Sequence, residues 1–221
     1  MSWLEQPIHF VDFEGSHISG VLEYGVATVL GGRIVATHTQ LCCAVGRVRP
    51  EDAAVHGLHE EMLRSQRLFS DDWEYFAGLR ESGPLAAHYS GVENALLKSV
   101  WPYPRTSPDF ARPGGRVIDW GPWIDTARLY AQLYPQLASG RLEAIVAATR
   151  LQPELDALAT RHCPPERRRY HAALYDALAG ALLLASLARD PSLAQLSTTQ
   201  LLALSTLDGA KRDTLLQREL F

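Results

Sequence analysis

The pattern of apolar and polar positions predicts three consecutive strands at the start of the chain. An apolar run over 8–14 ends at a glycine and indicates a buried strand. A second apolar run covers 22–30, and Gly31-Gly32 after it is typical of a two-residue hairpin turn. A third strand is predicted over 33–44. We therefore expect a three-stranded meander.

The rest of the chain favours short strands that alternate with helices. Strands are predicted over 85–89 and 116–120. Helices are predicted over 71–81, 93–100, 125–133, 141–162 with a break near Pro153, and 170–188. This order predicts an α/β fold, a mixed sheet of about five strands with helices on both faces. We expect one domain over 1–190 and a helical extension over 191–221 packed on it.

Composition narrows the functional classes. The chain has 221 residues, enough for one domain with a proper core, and a net charge of −4 that argues against a broad basic surface for nucleic acid. Cys42, Cys43 and one further cysteine make no disulfide framework, so a reducing, cytoplasmic setting is expected. No apolar run reaches the roughly 20 residues of a membrane span, and no signal peptide is predicted. A membrane partner is therefore not expected.

Two acidic residues close the first strand. Asp12 and Glu14 are two positions apart, so their side chains project from the same face of the strand. Neighbouring carboxylates repel each other, and a divalent metal with oxygen ligands is the usual way to keep both ionised. A solvated strand edge is the alternative interpretation of this pair.

Three more positions are candidates for the same chemistry. Glu93 lies at the entry of a helix that follows a short strand, where the helix dipole alone would also favour an acid. Asp176 precedes a nearly all-apolar segment, and a carboxylate there is costly to bury unless it is paired or binds a metal. His171 is expected at the entry of that helix, reaching over a site that Asp176 approaches. A surface histidine beside a rim acid is the alternative.

These motifs, in this order, resemble the DEDDh group of DnaQ-like 3′–5′ exonucleases. The resemblance rests on Asp12-Phe13-Glu14, then His88 with Glu93 five residues on, then His171 with Asp176 five residues on. Two intervening stretches are similar to the family's His-Gly-Ile and Asp-Thr-Leu segments, namely Val55-His56-Gly57-Leu58 and Asp125-Thr126-Ala127-Arg128-Leu129. The match covers about 7–188. The chain departs from the family at Glu93, where Asp is usual, and at Gly15-Ser16, where Thr is common.

The resemblance implies an RNase H-like sheet and two-metal phosphodiester hydrolysis. The metal ligands it implies for two Mg²⁺ or Mn²⁺ ions are Asp12, Glu14, Glu93 and Asp176. His171 would take a proton from the attacking water. Substrate contacts are implied at Phe13, Gly15, Ser16, His56 and Leu58, with core packing as the alternative for Phe13. The expected substrate is the 3′ end of single-stranded DNA or RNA, and the expected product is a nucleoside 5′-monophosphate.

Two other functions stay open at this point. The first is an exonuclease-like module that binds nucleic acid or a protein with little turnover, for which Glu93 is the positive hint. The second is an unrelated α/β domain with an acidic pocket. The tail over 192–221 could pack on its own domain or on a second copy, which would make a homodimer.

Overall fold

The computed structural model describes residues 2–112, 114–206 and 208–217. Their strands in chain order are β1 (Ile8–Ser16), β2 (Gly20–Leu30), β3 (Arg33–Leu41), β4 (Leu85–Ala87), β5 (Ser107–Pro108), β6 (Arg116–Val117) and β7 (Trp123–Asp125). Their helices are α1 (Pro50–His56), α2 (Glu60–Leu63), α3 (Trp73–Ser82), α4 (Ser90–Val100), α5 (Thr126–Leu133), α6 (Leu142–Ala148), α7 (Gln152–His162), α8 (Ala173–Ser186), α9 (Pro191–Ala194), α10 (Thr198–Leu204) and α11 (Gly209–Gln217). Residues 1 and 218–221, which belong to the predicted domain and extension, lie outside the described residues.

The central sheet is mixed and has five strands in the order β3-β2-β1-β4-β7. β1, β2 and β3 form the predicted antiparallel meander, and β4 and β7 add to it in parallel. The predicted α/β class with a sheet of about five strands is confirmed. This order puts the carboxyl ends of β1, β4 and β7 at one edge of the sheet, where ligand sites of such sheets usually form.

The predicted final strand over 116–120 is wrong. Residues of β6 pair with β5 in a separate two-stranded ladder, and β7 completes the main sheet. The buried guanidinium of Arg80 donates to the carbonyl oxygens of Pro108 (2.9 Å), Asp119 (3.1 Å) and Gly121 (2.6 Å). These hydrogen bonds hold the segment 108–121, which contains β6, beside α3. The residues predicted as the final strand are therefore kept away from the central sheet.

Helix α8 covers one face of the sheet, across β1 and β2. Its 14 residues are buried along nearly the whole length. Two glycines permit the close approach: a Cβ on Gly180 would lie 2.0 Å from the ring of Phe10, and one on Gly25 would lie 2.3 Å from the carbonyl carbon of Ala173. Because Gly25 pairs with Asp12 in the β1–β2 ladder, the first residues of α8 lie over Asp12.

The opposite face of the sheet is covered by α3 and an aromatic cluster. The cluster consists of Phe13, Tyr24, Phe69, Phe76, Trp101 and Trp120. Helices therefore lie on both faces, as predicted. The described part of the tail lies against the same domain, since Leu201, Leu202 and Leu215 belong to the core around α8. Within the described ranges, no helix is long and apolar enough to cross a bilayer.

Candidate active site

Strand β1 presents its two acids to the face that α8 covers. Asp12 pairs with Gly25 of β2, and Glu14 pairs with Glu23. The two side chains share this face because they are two residues apart on one strand. Both are partly buried. Just beyond them the ladder has an irregularity between Glu14 and Gly15, so the regular pairing of β1 with β2 is interrupted directly after the acids.

The third acid comes from α4. Tyr89 adopts a left-handed conformation with φ 62° and turns the chain from β4 into this helix. Glu93 in the first turn is 6% exposed, and its Oε2 accepts a 3.0 Å hydrogen bond from the backbone N–H of Phe13. Phe13 lies between Asp12 and Glu14 in β1, so this hydrogen bond holds the Glu93 carboxylate beside the two acids of the strand. The longer side chain at this position therefore still reaches the acidic cluster.

The fourth acid and the histidine come from the motif formed by His171 and Asp176, at the start of α8. The backbone N–H of His171 donates a 2.9 Å hydrogen bond to Oδ2 of Asp176. His171 has φ 61° and an exposed side chain, and α8 begins two residues later, at Ala173 and not at the predicted 170. Glu14, His171 and Asp176 each offer a ligand atom, and these atoms lie within 4.8 Å of one another. The structure thus brings the predicted catalytic histidine to the predicted metal ligands.

Burial and mutual repulsion raise the pKa of each of the four acids predicted as metal ligands. Burial, followed by the charges of Asp176 and Glu23, raises the pKa of Glu14 to about 8. Burial and the charge of Glu14 raise the pKa of Glu93 to about 8. Burial raises the pKa of Asp176 to about 7, although the His171 N–H opposes the shift. Burial and its four acidic neighbours raise the pKa of Asp12 well above its ordinary value.

The donor set fits a hard divalent cation. Oδ1 of Asp176 is buried and accepts no hydrogen bond from any described residue, although buried carboxylate oxygens are normally satisfied. A cation between the acids would supply the missing partner and offset the repulsion that raises their pKa values. Carboxylate oxygens from three separate elements, β1, α4 and α8, are the ligands that Mg²⁺ and Mn²⁺ prefer.

Three of the predicted substrate contacts have buried side chains. The ring of Phe13 is 6% exposed and lies 5.5 Å from that of Phe69 between centroids. Leu58 is fully buried under α1 and α2. His56 is also buried, and its Nδ1 accepts a 3.0 Å hydrogen bond from the backbone N–H of Leu58. Burial argues against direct contact of these three side chains with a nucleotide.

The other two predicted contacts lie at the exposed end of β1. Gly15 has φ 136°, and a Cβ there would lie 2.2 Å from the carbonyl oxygen of Gly20. The hydroxyl of Ser16 lies 3.1 Å from that of Ser19 and also accepts from the N–H of Ile18 at 3.3 Å. These contacts shape a tight turn directly after Glu14, and both residues keep some exposed surface.

One acid of the cluster was missed in the sequence. Glu23 is buried opposite Glu14, and its carboxylate forms an ion pair with Arg167 and accepts from the N–H of Ala173 at 3.1 Å. The available signal was an acid inside an otherwise apolar strand. Its partner lies 144 positions away, which no local pattern reveals.

Comparison with known proteins identifies the fold. No protein-family model matches the sequence, and no curated protein matches it. Among solved structures, exonuclease X in complex with 5′ overhanging duplex DNA has a TM-score of 0.64 at 19% identity, over 90% of this chain and 99% of that one. The nuclease domain of 3′hExo, a DEDDh family member bound to rAMP, has a TM-score of 0.58 at 13% identity, over 86% and 96%. E. coli exonuclease I with a dT13 oligonucleotide has a TM-score of 0.60 at 12% identity, over 86% of this chain but 42% of that one.

In this fold the three motifs lie, in chain order, on strand β1 with its acid pair, in the first turn of α4, and in the His171 turn before α8. The predicted resemblance is therefore confirmed at the level of the fold. The chain has the RNase H-like fold of the DnaQ-like DEDDh 3′–5′ exonucleases.

Proposed function

We propose that this protein is a metal-dependent 3′–5′ exonuclease that removes nucleoside 5′-monophosphates from the 3′ ends of single-stranded DNA or RNA. The observation that carries the proposal is the convergence of Asp12, Glu14, Glu93 and Asp176, with His171 beside Glu14 and Asp176, and the buried Oδ1 of Asp176, which has no hydrogen-bond partner among the described residues. The solved structures of similar fold support it, since they are structures of exonucleases and two of those compared above are complexes with DNA.

The four acids would hold two Mg²⁺ or Mn²⁺ ions. When bound, such ions lower the pKa of an attacking water and stabilise the leaving 3′ oxygen. The residues of the chain supply what the ions cannot. Glu93 is fixed by the N–H of Phe13, and Asp176 by the N–H of His171, so both carboxylates are oriented before a ligand arrives.

His171 is the proposed general base. Its side chain is exposed, within reach of Glu14 and Asp176, and a neutral imidazole nitrogen can accept a proton from water. The proton would pass from the attacking water to a ring nitrogen and then to solvent. The 3′ nucleotide would lie along the turn at Gly15 and Ser16, with the buried Phe13, His56 and Leu58 supporting that surface from below.

The setting of the reaction is also part of the proposal. Cys42, Cys43 and Cys163 are all free thiols, which supports a reducing, cytoplasmic compartment. A homodimer stays a prediction.

The test is a nuclease assay with oligonucleotides labelled at the 5′ end. Single-stranded, blunt and 3′-recessed DNA and RNA would be compared with Mg²⁺, Mn²⁺ and EDTA. We expect a metal-dependent ladder that shortens from the 3′ end and releases nucleoside 5′-monophosphates, lost in Asp12→Asn and slowed to a measurable residual rate in His171→Ala. Glu61→Gln, on the exposed surface of α2, is the matched control and should retain the ladder.

A second outcome would support the alternative. If no substrate is shortened but the protein binds Mn²⁺ and single strands, the binding module with little turnover is favoured. If Mn²⁺ does not bind, the cluster is an unrelated acidic pocket and the proposal fails.

A further inference from the structure

The turn that carries His171 is held by an ion pair that belongs to none of the three motifs. The guanidinium of Arg167 pairs with the carboxylate of Glu23, with Nε 3.2 Å from Oε1 and a second contact from Nη2 to Oε2. Both side chains are largely buried, 11% and 4% exposed. A buried pair with two contacts in a fork has a defined geometry, unlike an exposed one.

The same guanidinium reaches the backbone on both sides of the site. Its Nη1 donates to the carbonyl oxygen of His56 at 2.6 Å, and its Nη2 lies 3.4 Å from the carbonyl oxygen of His171. Glu23 extends the connection, because its Oε2 also accepts from the N–H of Ala173 at 3.1 Å. The Arg167–Glu23 pair therefore connects three elements through hydrogen bonds: strand β2, the end of α1 and the start of α8.

His171 needs such support because of its backbone conformation. A φ of 61° is unfavourable for a residue with a Cβ, and it persists only where surrounding contacts hold it. The N–H of His171 is held by Asp176, and its carbonyl oxygen lies against Arg167. The exposed ring itself has little packing to fix it.

From these contacts we propose that Arg167, anchored by Glu23, is a positioning residue that holds the imidazole of His171 over the acidic cluster. The role of Arg167 in catalysis rests on the proposed function, whereas its role in holding the His171 turn does not. An arginine is required because its planar fork donates in several directions at once, whereas lysine keeps the charge but offers a single point.

The neighbouring Arg168 provides a matched control. Its guanidinium donates to the carbonyl oxygens of Cys163 and Thr160, each at 3.1 Å, and within the described part of the chain it forms no hydrogen bond with a site residue. Arg167→Lys and Arg168→Lys are therefore the same chemical change one position apart, with only the first expected to release His171.

The first measurement is NMR of the histidine rings, which needs no enzymatic activity. The chain has eight histidines, and the ring signal of His171 is identified by its loss in His171→Ala. We expect Arg167→Lys to shift and broaden the His171 signal, while Arg168→Lys leaves it unchanged. An unchanged His171 signal in Arg167→Lys would overturn the inference whether or not the protein is a nuclease.

The second measurement is a double-mutant cycle on kcat. Arg167→Lys should lower kcat by about 10- to 100-fold, as a misplaced catalytic group does, with KM within about 3-fold. In the His171→Ala background the same substitution should cost less than about 2-fold, because the group it positions is already gone. Mn²⁺ affinity without substrate should stay within about 3-fold of the parent protein.

The contrary results are distinct. An equal loss of kcat in both backgrounds would mean that Arg167 supports the fold in general, and a parallel loss of Mn²⁺ affinity would mean that it supports the acids instead of His171. Either would overturn the inference. A parent protein without any nuclease activity would refute the proposed function, while the NMR comparison would still decide whether Arg167 positions His171.

Discussion

The backbone N–H of His171 donates to Oδ2 of Asp176 at 2.9 Å, while the buried Oδ1 of the same carboxylate accepts no hydrogen bond from any described residue. One oxygen thus orients the side chain and the other is left for a cation. The orientation of the side chain depends on the hydrogen bond to Oδ2, whereas binding of a cation depends on the negative charge. A substitution that keeps the first and removes the second can therefore distinguish the two roles.

Asp176→Asn tests that division. The amide oxygen can still accept from the His171 N–H, but the negative charge is lost. We expect Mn²⁺ affinity and nuclease activity to fall by at least about 100-fold, because a charged ligand is removed from the site. The metal-free protein should not lose stability at about pH 8, since burial raises the pKa of Asp176 to about 7 and its ionisation there is unfavourable. Calorimetric Mn²⁺ titration and urea unfolding in EDTA measure both effects.

The matched control for this variant is Asp71→Asn, on the exposed surface. It should change neither the affinity nor the unfolding midpoint. A clear loss of stability in metal-free Asp176→Asn would contradict the interpretation, because it would mean that the charge stabilises the fold without a cation.

Substitutions of Glu93 separate the effect of its negative charge from the effect of its side-chain length. In Glu93→Gln the amide oxygen keeps the hydrogen bond from the Phe13 N–H but loses the charge, whereas Glu93→Asp keeps the charge and withdraws it by one methylene. We expect Glu93→Gln to fold normally and to lose Mn²⁺ affinity by about 10-fold or more. Glu93→Asp should keep more affinity but lose stability by about 1 kcal/mol, the net value of the Phe13 hydrogen bond. Tighter Mn²⁺ binding by Glu93→Gln than by Glu93→Asp would contradict this ranking.

The raised pKa values predict how the stability of the metal-free protein depends on pH. Glu14 and Glu93 have pKa values of about 8 and Asp176 of about 7, all above those of an unfolded chain. The folded protein therefore binds more protons than the unfolded chain between about pH 4 and pH 8. The stability from these groups is fully present below that range and is lost as the pH rises through their folded values.

The measurement is the unfolding midpoint in EDTA from about pH 5 to about pH 9. We expect it to fall as the pH rises, and to fall less in Glu14→Gln. Saturating Mn²⁺ should flatten the profile, because the ions bind the ionised acids and release their protons. A midpoint in EDTA that rises steadily over this range would refute the predicted shifts.

Local patterns predicted most of the fold. The meander follows from three apolar runs and one hairpin signal, and α8 follows from the apolar segment after Asp176. These features are local in sequence, so a periodic pattern can report them. The candidate site was predicted differently: its members are far apart in the chain, and their association came from the resemblance to the DEDDh exonucleases, in which Glu93 and Asp176 each lie five positions after a histidine.

The failures are all non-local. β7 has three residues directly after Pro122 and is too short for a pattern to show, while Arg80 holds the segment that looked more like a strand. The left-handed turn at His171 shortens α8 at its start, and nothing in the residue type announces it. Glu23 was missed as a site residue because its role depends on Arg167, far along the chain. Contacts of this kind are set by packing and not by propensity.

Gly25 connects the packing of the fold to the cluster, and its substitution gives the last prediction. A Cβ there would lie 2.3 Å from the carbonyl carbon of Ala173, and backbone atoms cannot yield as a flexible side chain can. Gly25→Ala should therefore push the start of α8 away from β2, at a cost of about 2–4 kcal/mol in unfolding free energy. The displacement also carries Asp176 away from Asp12, so the Mn²⁺-induced rise in the unfolding midpoint should disappear.

Gly78 provides the matched control for Gly25, because it lies in α3 and, apart from the backbone of its own helix, no atom of the described residues lies within 4 Å of an added Cβ. Gly78→Ala should raise the unfolding free energy by about 0.5–1 kcal/mol, as alanine is favoured over glycine in a helix, and should leave the Mn²⁺ effect intact. The decisive comparison is the Mn²⁺ effect at matched stability, with the parent protein brought to the stability of Gly25→Ala by urea. If Gly25→Ala then responds to Mn²⁺ as the parent does, α8 does not need this close approach to hold Asp176 in the cluster.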